Sequence, residues 1–306
     1  MTPTSLPAAR TPDPLAAPSL RWGVIGTGWI ADRYVTSLQR HSSQQVVAVG
    51  SRTLGSARSF ADRHQIAAAY GSYEELAADA DVDVVYVATP HNTHLPVALL
   101  SLRAGKHTLV EKPLGATAAE ARQISAAAEP AGVFCMEALW TAFLPKFDVL
   151  QPELAGGPLL DLGTYLVSFA LDVLGPVDAV QATGQRIPSG VLGQVGTLLA
   201  HPGGRKAVLH TTLISNTPTT AVIAGSDATL VIDGPFYQPG GFTLTPADGG
   251  PSLRYDEESI AHEALHFQAA EVARRIGAGE TGSPLRPLAA SIATLEVLDA
   301  IAETCQ

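Results

Sequence analysis

The run Gly26-Thr27-Gly28-Trp29-Ile30-Ala31 follows a short apolar segment, 22–25, and opens a stretch from 30 to 39 with helical spacing. A glycine loop between a strand and a helix leaves a chain few folds to choose from. The first glycine permits a tight turn, the second lets an anion reach the backbone, and the small sixth residue lets the helix pack closely on the strand. The N–H groups at the helix start then face that anion. With a strand before it and a helix after it, the loop reads as a cradle for a pyrophosphate, held by Gly26, Thr27, Gly28, Trp29 and Ile30.

The strand–helix unit repeats. Residues 45–50, 82–89 and 107–111 read as strands, and 55–64 and 96–104 as helices. That alternation implies a parallel sheet covered by helices on both faces. Beyond an apolar helical stretch at 159–174 the pattern changes to short strand-like runs at 179–185, 196–200, 207–214, 220–224 and 229–232, divided by Gly and Pro. These predict an antiparallel sheet. Helical patterns at 261–277 and 288–304 close the chain. The expected fold class is α/β: a Rossmann domain with a parallel sheet, then an α+β domain with an open, mainly antiparallel sheet. The expected boundaries are a disordered tail at 1–19, carrying five prolines; the nucleotide-binding domain at 20–144; a second domain at 145–285; and a helix at 286–306 packing back on the first domain.

Composition limits the partners. With 46% hydrophobic and 16% charged residues among 306, the chain suits a packed core. A net charge of −10 repels phosphate backbones and anionic lipid, so nucleic acid and membrane surfaces are not expected partners. No run of 18 apolar residues and no secretory leader is seen, which predicts a cytoplasmic protein. Cys135 and Cys305 sit in no metal-type spacing. The lysines are only four (Lys106, Lys112, Lys146, Lys206), so each one's position carries information.

Dinucleotide sites for NAD end the second strand on an acid that accepts the ribose hydroxyls. Here that strand ends Gly50-Ser51-Arg52. Ser51 can hydrogen-bond a 2′-phosphate, and the Arg52 guanidinium can pair with it, so NADP is the expected cofactor and NAD the second choice.

Glu111-Lys112-Pro113 stands at the end of a buried strand, where open α/β sheets place their ligands. With the glycine loop and with Thr89-Pro90 through His94 after the preceding strand, this resembles the Gfo/Idh/MocA family of NAD(P)-dependent oxidoreductases. The segments 69–76 and 136–141 are similar to its dimeric dihydrodiol dehydrogenase and NADP-dependent D-xylose 1-dehydrogenase branch, and the resemblance runs from 21 to 305. The segment 156–165 is similar to the family's second signature and puts Asp161 and Tyr165 at i and i+4, on one helix face.

The resemblance implies hydride transfer between the nicotinamide and a hydroxyl carbon of a sugar or cyclic vicinal diol. It assigns Tyr165 as general acid/base, Lys112 as its electrostatic partner, and Asp161 as a hydrogen-bond partner of substrate or Lys112. Trp140 would line the substrate side. Thr89, Pro90, His94, Glu111 and Lys112 would hold the cofactor, the 145–285 domain would carry the substrate and subunit contacts, and a homodimer is expected.

Two features stand apart. His262-Glu263-Ala264-Leu265-His266 matches the H-E-x-x-H spacing of zinc hydrolases but lacks a suitable third ligand, so no metal is expected. The segment after Leu150 is several tens of residues shorter than the family pattern, and Leu192 stands where relatives carry an acid. The shortening leaves a cofactor-binding protein with lost or weak catalysis as the alternative reading, with a zinc hydrolase through His262, Glu263 and His266 as a remote third.

Overall fold

Six parallel strands build the first unit. The computed structural model describes residues 5–154, 163–188 and 190–305. In chain order the strands and helices are β1 (Arg21–Ile25), α1 (Trp29–His41), β2 (Gln45–Gly50), α2 (Leu54–His64), β3 (Ala68–Tyr70), α3 (Tyr73–Ala77), β4 (Val84–Val87), α4 (His94–Arg103), β5 (His107–Glu111), α5 (Ala118–Ala131) and β6 (Cys135–Ala138). The sheet order is β3-β2-β1-β4-β5-β6. Strand order reverses between β1 and β4, and in open parallel sheets ligands bind outside the carboxyl ends of the strands at such a point.

β4 is buried at every position, Val84 to Val87, as a central parallel strand covered on both faces must be. The core around it takes Ile25, Val85, Val87, Val110, Leu114 and Ile124, each side chain contributing roughly 1.5–3 kcal/mol by leaving water. Three helices start on side-chain caps: Thr53 accepts from Ser56 N–H, Ser72 from Glu75 N–H, and Thr117 from Glu120 N–H. Glu75 and Glu120 reach back to the N–H groups of Gly71 and Ala116, one residue before each cap. Helix α1 starts on Gly28, which has no side chain to cap it.

The second unit comprises Met1–Thr11, Thr141–Ala261 and Ala300–Gln306; the first is Pro12–Trp140 with His262–Asp299. The second unit contains α6 (Pro145–Leu154), α7 (Gly163–Leu174), and strands β7 (Ala179–Arg186), β8 (Leu192–Ala200), β9 (Lys206–Thr212), β10 (Ala221–Ala224), β11 (Ala228–Ile232), β12 (Phe242–Pro246) and β13 (Leu253–Tyr255). Among the described residues these form two antiparallel sheets, β7-β8-β9 and β10-β11-β12-β13. Leu192 opens β8, and a Cβ on Gly184 would lie 2.7 Å from its Cδ2, so the leucine packs where only glycine leaves room. Helices α8 (His266–Gly277) and α9 (Leu288–Thr304) follow, and Leu295 of α9 belongs to the core of the first unit.

The expected disordered tail is corrected in its second half. Asp13 caps a 3-10 turn, Pro14–Ala16, Ala17 is buried against Ala270 and Ala273, and Gln44 and Ser43 donate to the carbonyls of Pro18 and Ala17. Proline fixes φ, so ordering this stretch costs less entropy than its composition suggests. The unit boundaries differ accordingly from 20–144, 145–285 and 286–306: the first unit begins at Pro12, and His262–Asp299 belongs to it.

Candidate active site

The glycine loop has the shape its sequence requires. Gly26 has φ of 112°, and a Cβ there would stand 2.4 Å from the Ala88 carbonyl oxygen; the loop thus pins β1 against the end of β4. Among the described residues a Cβ on Gly28 would meet nothing within 4 Å, which leaves space at the helix start. With no capping side chain, the first N–H groups of α1 are left for an anion. Ala31 is fully buried beneath them. Beside Gly26, Thr89 is buried and its Oγ1 has no hydrogen-bond partner among the described residues, an orphan that costs free energy unless a ligand takes it up.

At the end of β2, Ser51 is buried, with its N–H on the Tyr70 carbonyl, and Arg52 is exposed. Arg52 lines an open groove with Arg58, Thr53, Tyr70 and Ser72. Glu75 and Asp79 border the same groove, but Glu75 accepts from Gly71 N–H and Asp79 from the Tyr70 hydroxyl. Arg58 was not singled out from the sequence; its place on the first turns of a helix entered from the β2 end is the signal that was available.

Glu111 ends β5. Its Oε1 accepts from the Tyr86 hydroxyl at 2.5 Å and its Oε2 from Lys112 N–H at 3.0 Å. Tyr86 stacks on Tyr34 at 3.9 Å, and burial together with the Glu111 carboxylate pushes both phenols well above their ordinary range.

Lys112 is half-buried at the strand end. His94, expected among the cofactor ligands, is buried with Nδ1 2.7 Å from the Pro113 carbonyl and Nε2 2.9 Å from that of Thr89. Burial lowers its pKa, so a neutral ring donates to one carbonyl at a time. Its place is that of a brace between the loops after β4 and β5. Pro90 is exposed on the same loop.

A second brace was invisible in the sequence. Glu137 on β6 takes Leu114 N–H on Oε1 at 2.8 Å and Arg286 and Ser291 on Oε2 at 2.8 and 2.6 Å. The loop carrying Lys112 is thus tied to β6 and to the chain before α9.

Three rings meet at the carboxyl edge. His262 stacks on Trp140 with centroids 5.3 Å apart and planes at 11°, and meets Trp29 edge-on at 4.8 Å. The H-E-x-x-H spacing does not form a metal cradle. His262 and Glu263 lie in a 3-10 turn, Ala261–Leu265, while His266 begins α8, so the i, i+4 relation of a regular helix is lost. The Glu263 carboxylate pairs with Arg40 and His41, and His266 Nδ1 donates to the Glu263 carbonyl at 2.6 Å. Among the described residues no group of three or more His, Cys, Asp or Glu is placed to hold a metal.

In the second unit Tyr165 lies on α7, buried, stacked on Tyr237 at 4.2 Å with planes at 4°. Tyr237 is placed by its neighbours: Thr141 donates to its carbonyl at 2.8 Å, and Lys146 Nζ donates to the Gln238 carbonyl. Burial pulls Lys146 down to about 8, against the opposing pull of Glu257 and Asp233. Asp161 and the segment 156–162 lie outside the described residues.

Comparison with known proteins gives the family. Residues 20–139 match the oxidoreductase family with an NAD-binding Rossmann fold, and residues 121–231 the GFO/IDH/MocA C-terminal domain. The trans-1,2-dihydrobenzene-1,2-diol dehydrogenase of Mus musculus is 35% identical over 321 residues, taking in 92% of this chain and 95% of the relative; that of Bos taurus is 33% identical over 326 residues, with 92% and 96% covered.

Among solved structures, a 3-ketoreductase from Actinomadura kijaniata in complex with NADP and TDP-benzene has a TM-score of 0.81 at 24% identity, covering 94% of this chain and 98% of its own. A levoglucosan dehydrogenase in complex with NADH and L-sorbose has a TM-score of 0.80 at 17% identity, with 94% and 96% covered. The chain belongs to the Gfo/Idh/MocA family of oxidoreductases, and its first unit is that family's NAD(P)-binding Rossmann domain. An alignment of 321 residues that takes in 92% of a 306-residue chain also means that some tens of residues of the mouse relative have no counterpart here.

Proposed function

We propose that this protein is an NADP-preferring oxidoreductase that moves hydride between the nicotinamide and a hydroxyl carbon of a sugar or cyclic vicinal diol. The observation that carries the reading is that the glycine cradle, the unpartnered Thr89 hydroxyl and the Glu111–Lys112 pair gather at the carboxyl ends of β1, β4 and β5 in one sheet. The cradle fits a pyrophosphate: Gly28 leaves the space, and α1 leaves the donors. The diol dehydrogenases at 33–35% identity support the substrate class. Arg52 and Arg58 in one groove, with no acid at the end of β2, support NADP over NAD.

The nicotinamide, when bound, supplies the hydride acceptor or donor. The chain's own task is the proton. A carbinol carbon gives up hydride as its hydroxyl gives up a proton, and a phenol with an ordinary pKa near 10 needs a cation in its field to act as base at neutral pH. In this reading Tyr165 exchanges the proton, Lys112 supplies positive charge to the reacting oxygen, and Asp161 accepts a hydrogen bond from substrate or Lys112. Glu111, held by Tyr86, offers a carboxylate to a ribose hydroxyl. Trp140 faces the substrate side.

A homodimer belongs to the same reading, supported by apolar side chains on the second-unit strands, Val208 and Val222, at 82% and 59% exposure. A cytoplasmic location is supported by the two free cysteines. Among the described residues no helix is long and apolar enough to cross a membrane.

The residues lacking a counterpart favour a second reading, cofactor binding with weak turnover, and the sequence puts the shortening after Leu150. A panel of aldoses and cyclic vicinal diols, offered with NADP or NAD and followed by the absorbance of reduced nicotinamide, separates the two. Turnover that is faster with NADP supports the first reading. Tight NADPH binding with no turnover on any member supports the second, and absence of nicotinamide binding contradicts both.

A further inference from the structure

The two histidines of the H-E-x-x-H segment take no part in the proton transfer just described, and the structure gives them different surroundings. His266 is buried on Ser37 and the Glu263 carbonyl. His262 is half-buried, with Trp140 against its face and Trp29 at its edge. Trp29 is the residue after the cradle glycine and Trp140 comes shortly after β6. In the sheet β4 and β5 separate β1 from β6. The three rings therefore join the loop after β1 to the segment after β6, with the strands that lead to Thr89 and Lys112 between them.

We infer that His262 is a positioning residue of the cofactor site, whose ring holds Trp29 and Trp140 in one aromatic array so that nicotinamide-cofactor affinity depends on it. The inference rests on the cofactor reading given above. Trp29 is 58% exposed, and Arg33 lies 5.9 Å over its ring. An exposed indole on the first residue of a helix has several rotamers to choose from, and ring contacts limit them.

The surroundings also keep His262 uncharged. Burial, Arg33 on α1 and Lys112 after β5 all lower its pKa. Glu263, on the same turn, is engaged by Arg40 and His41, while His266 at the start of α8 donates to the carbonyl of Glu263. A neutral imidazole stacks on indole without quenching its emission, whereas an imidazolium quenches it.

The chain has three tryptophans. Trp22 is fully buried with Nε1 on Gln44, so a pH step in tryptophan emission reports Trp29 and Trp140. In the full chain, emission should fall as pH drops through a value below the ordinary histidine range, and His262→Phe should abolish the step. His262→Ala should weaken NADPH binding about three- to tenfold, the scale of one or two lost ring contacts. KM for NADPH should rise more than kcat falls, and His262→Phe, which keeps a ring in the array, should restore affinity.

An unchanged pH step in His262→Phe overturns the proposal, as does parental NADPH affinity in a folded His262→Ala. If none of the three proteins binds NADPH, the cofactor reading fails and the positioning role with it. The emission step, which needs no ligand, still shows in that case whether the ring array exists.

Discussion

Arg286 donates to Glu137 Oε2 from both Nε and Nη2, at 2.9 and 2.8 Å, with the two side chains 2% and 0% exposed. They lie 149 residues apart in sequence. Glu137 also holds Leu114 N–H, two residues beyond Lys112, so the ion pair supports the loop that carries the lysine. Removing one partner of a buried pair leaves an uncompensated charge and costs roughly 3–5 kcal/mol. Arg286→Met should therefore lower unfolding free energy by about that much in a denaturant titration. Arg286→Met with Glu137→Leu should lose less than the sum of the single changes, because the double variant buries no lone charge.

Cofactor choice should follow the groove at the end of β2. NADPH should bind more tightly than NADH, and Arg52→Asp should shrink or reverse the gap. Arg58→Ala should weaken NADPH while leaving NADH nearly unchanged, since only a 2′-phosphate engages its charge. Fluorescence titration of both cofactors checks this, and equal affinities in the parent would remove the roles given to Ser51, Arg52 and Arg58.

Lys112→Met and Tyr165→Phe should each lower turnover by about 100-fold or more with NADPH affinity largely kept, the scale of acid/base assistance. Steady-state kinetics beside a binding titration separates the two effects. Turnover retained in Tyr165→Phe would assign the proton to another group.

Acid should destabilise the fold through His266. Burial pulls its pKa down from 6.5 to about 4. Between those values the unfolded chain binds a proton that the folded protein refuses, so the stability present above pH 6.5 is lost as pH falls toward 4, by up to about 3 kcal/mol. Burial lowers His94 and His107 as well, which steepens the same slope. Denaturant melts at stepped pH should show the loss, and His266→Gln, which keeps an amide donor for the Glu263 carbonyl, should flatten it.

The glycine loop and the β5 strand at 107–111 were legible in the sequence because each carries its signal locally, in spacing and in a run of apolar residues. Helix α5 was not read, since its Ala-rich stretch has few large apolar side chains to mark a face, and β12 and β13 alternate too weakly between Gly and Pro turns. The ordering of 12–19 depends on Ala270 and Ala273, far along the chain.

Lys112 and Tyr165, to which the proposal gives the proton chemistry, stood out by motif. The groups that brace their surroundings did not. Glu137 needs Arg286, Tyr237 needs Thr141, and Lys146 meets Glu257 at 111 residues' separation. His262 matched a metal spacing in one dimension, and a 3-10 turn at its position gave it two indoles instead.

The central claim is hydride transfer from a hydroxyl carbon to the nicotinamide. Its most direct test takes the best alcohol substrate from the panel, deuterated at the carbinol carbon, and follows the label by mass spectrometry after reaction with NADP. The account predicts one deuterium on the reduced cofactor, none exchanged into water, and loss of transfer in Lys112→Met. Reduced cofactor that forms without the label, or no reduction by any sugar or cyclic diol while NADPH still binds, would contradict it.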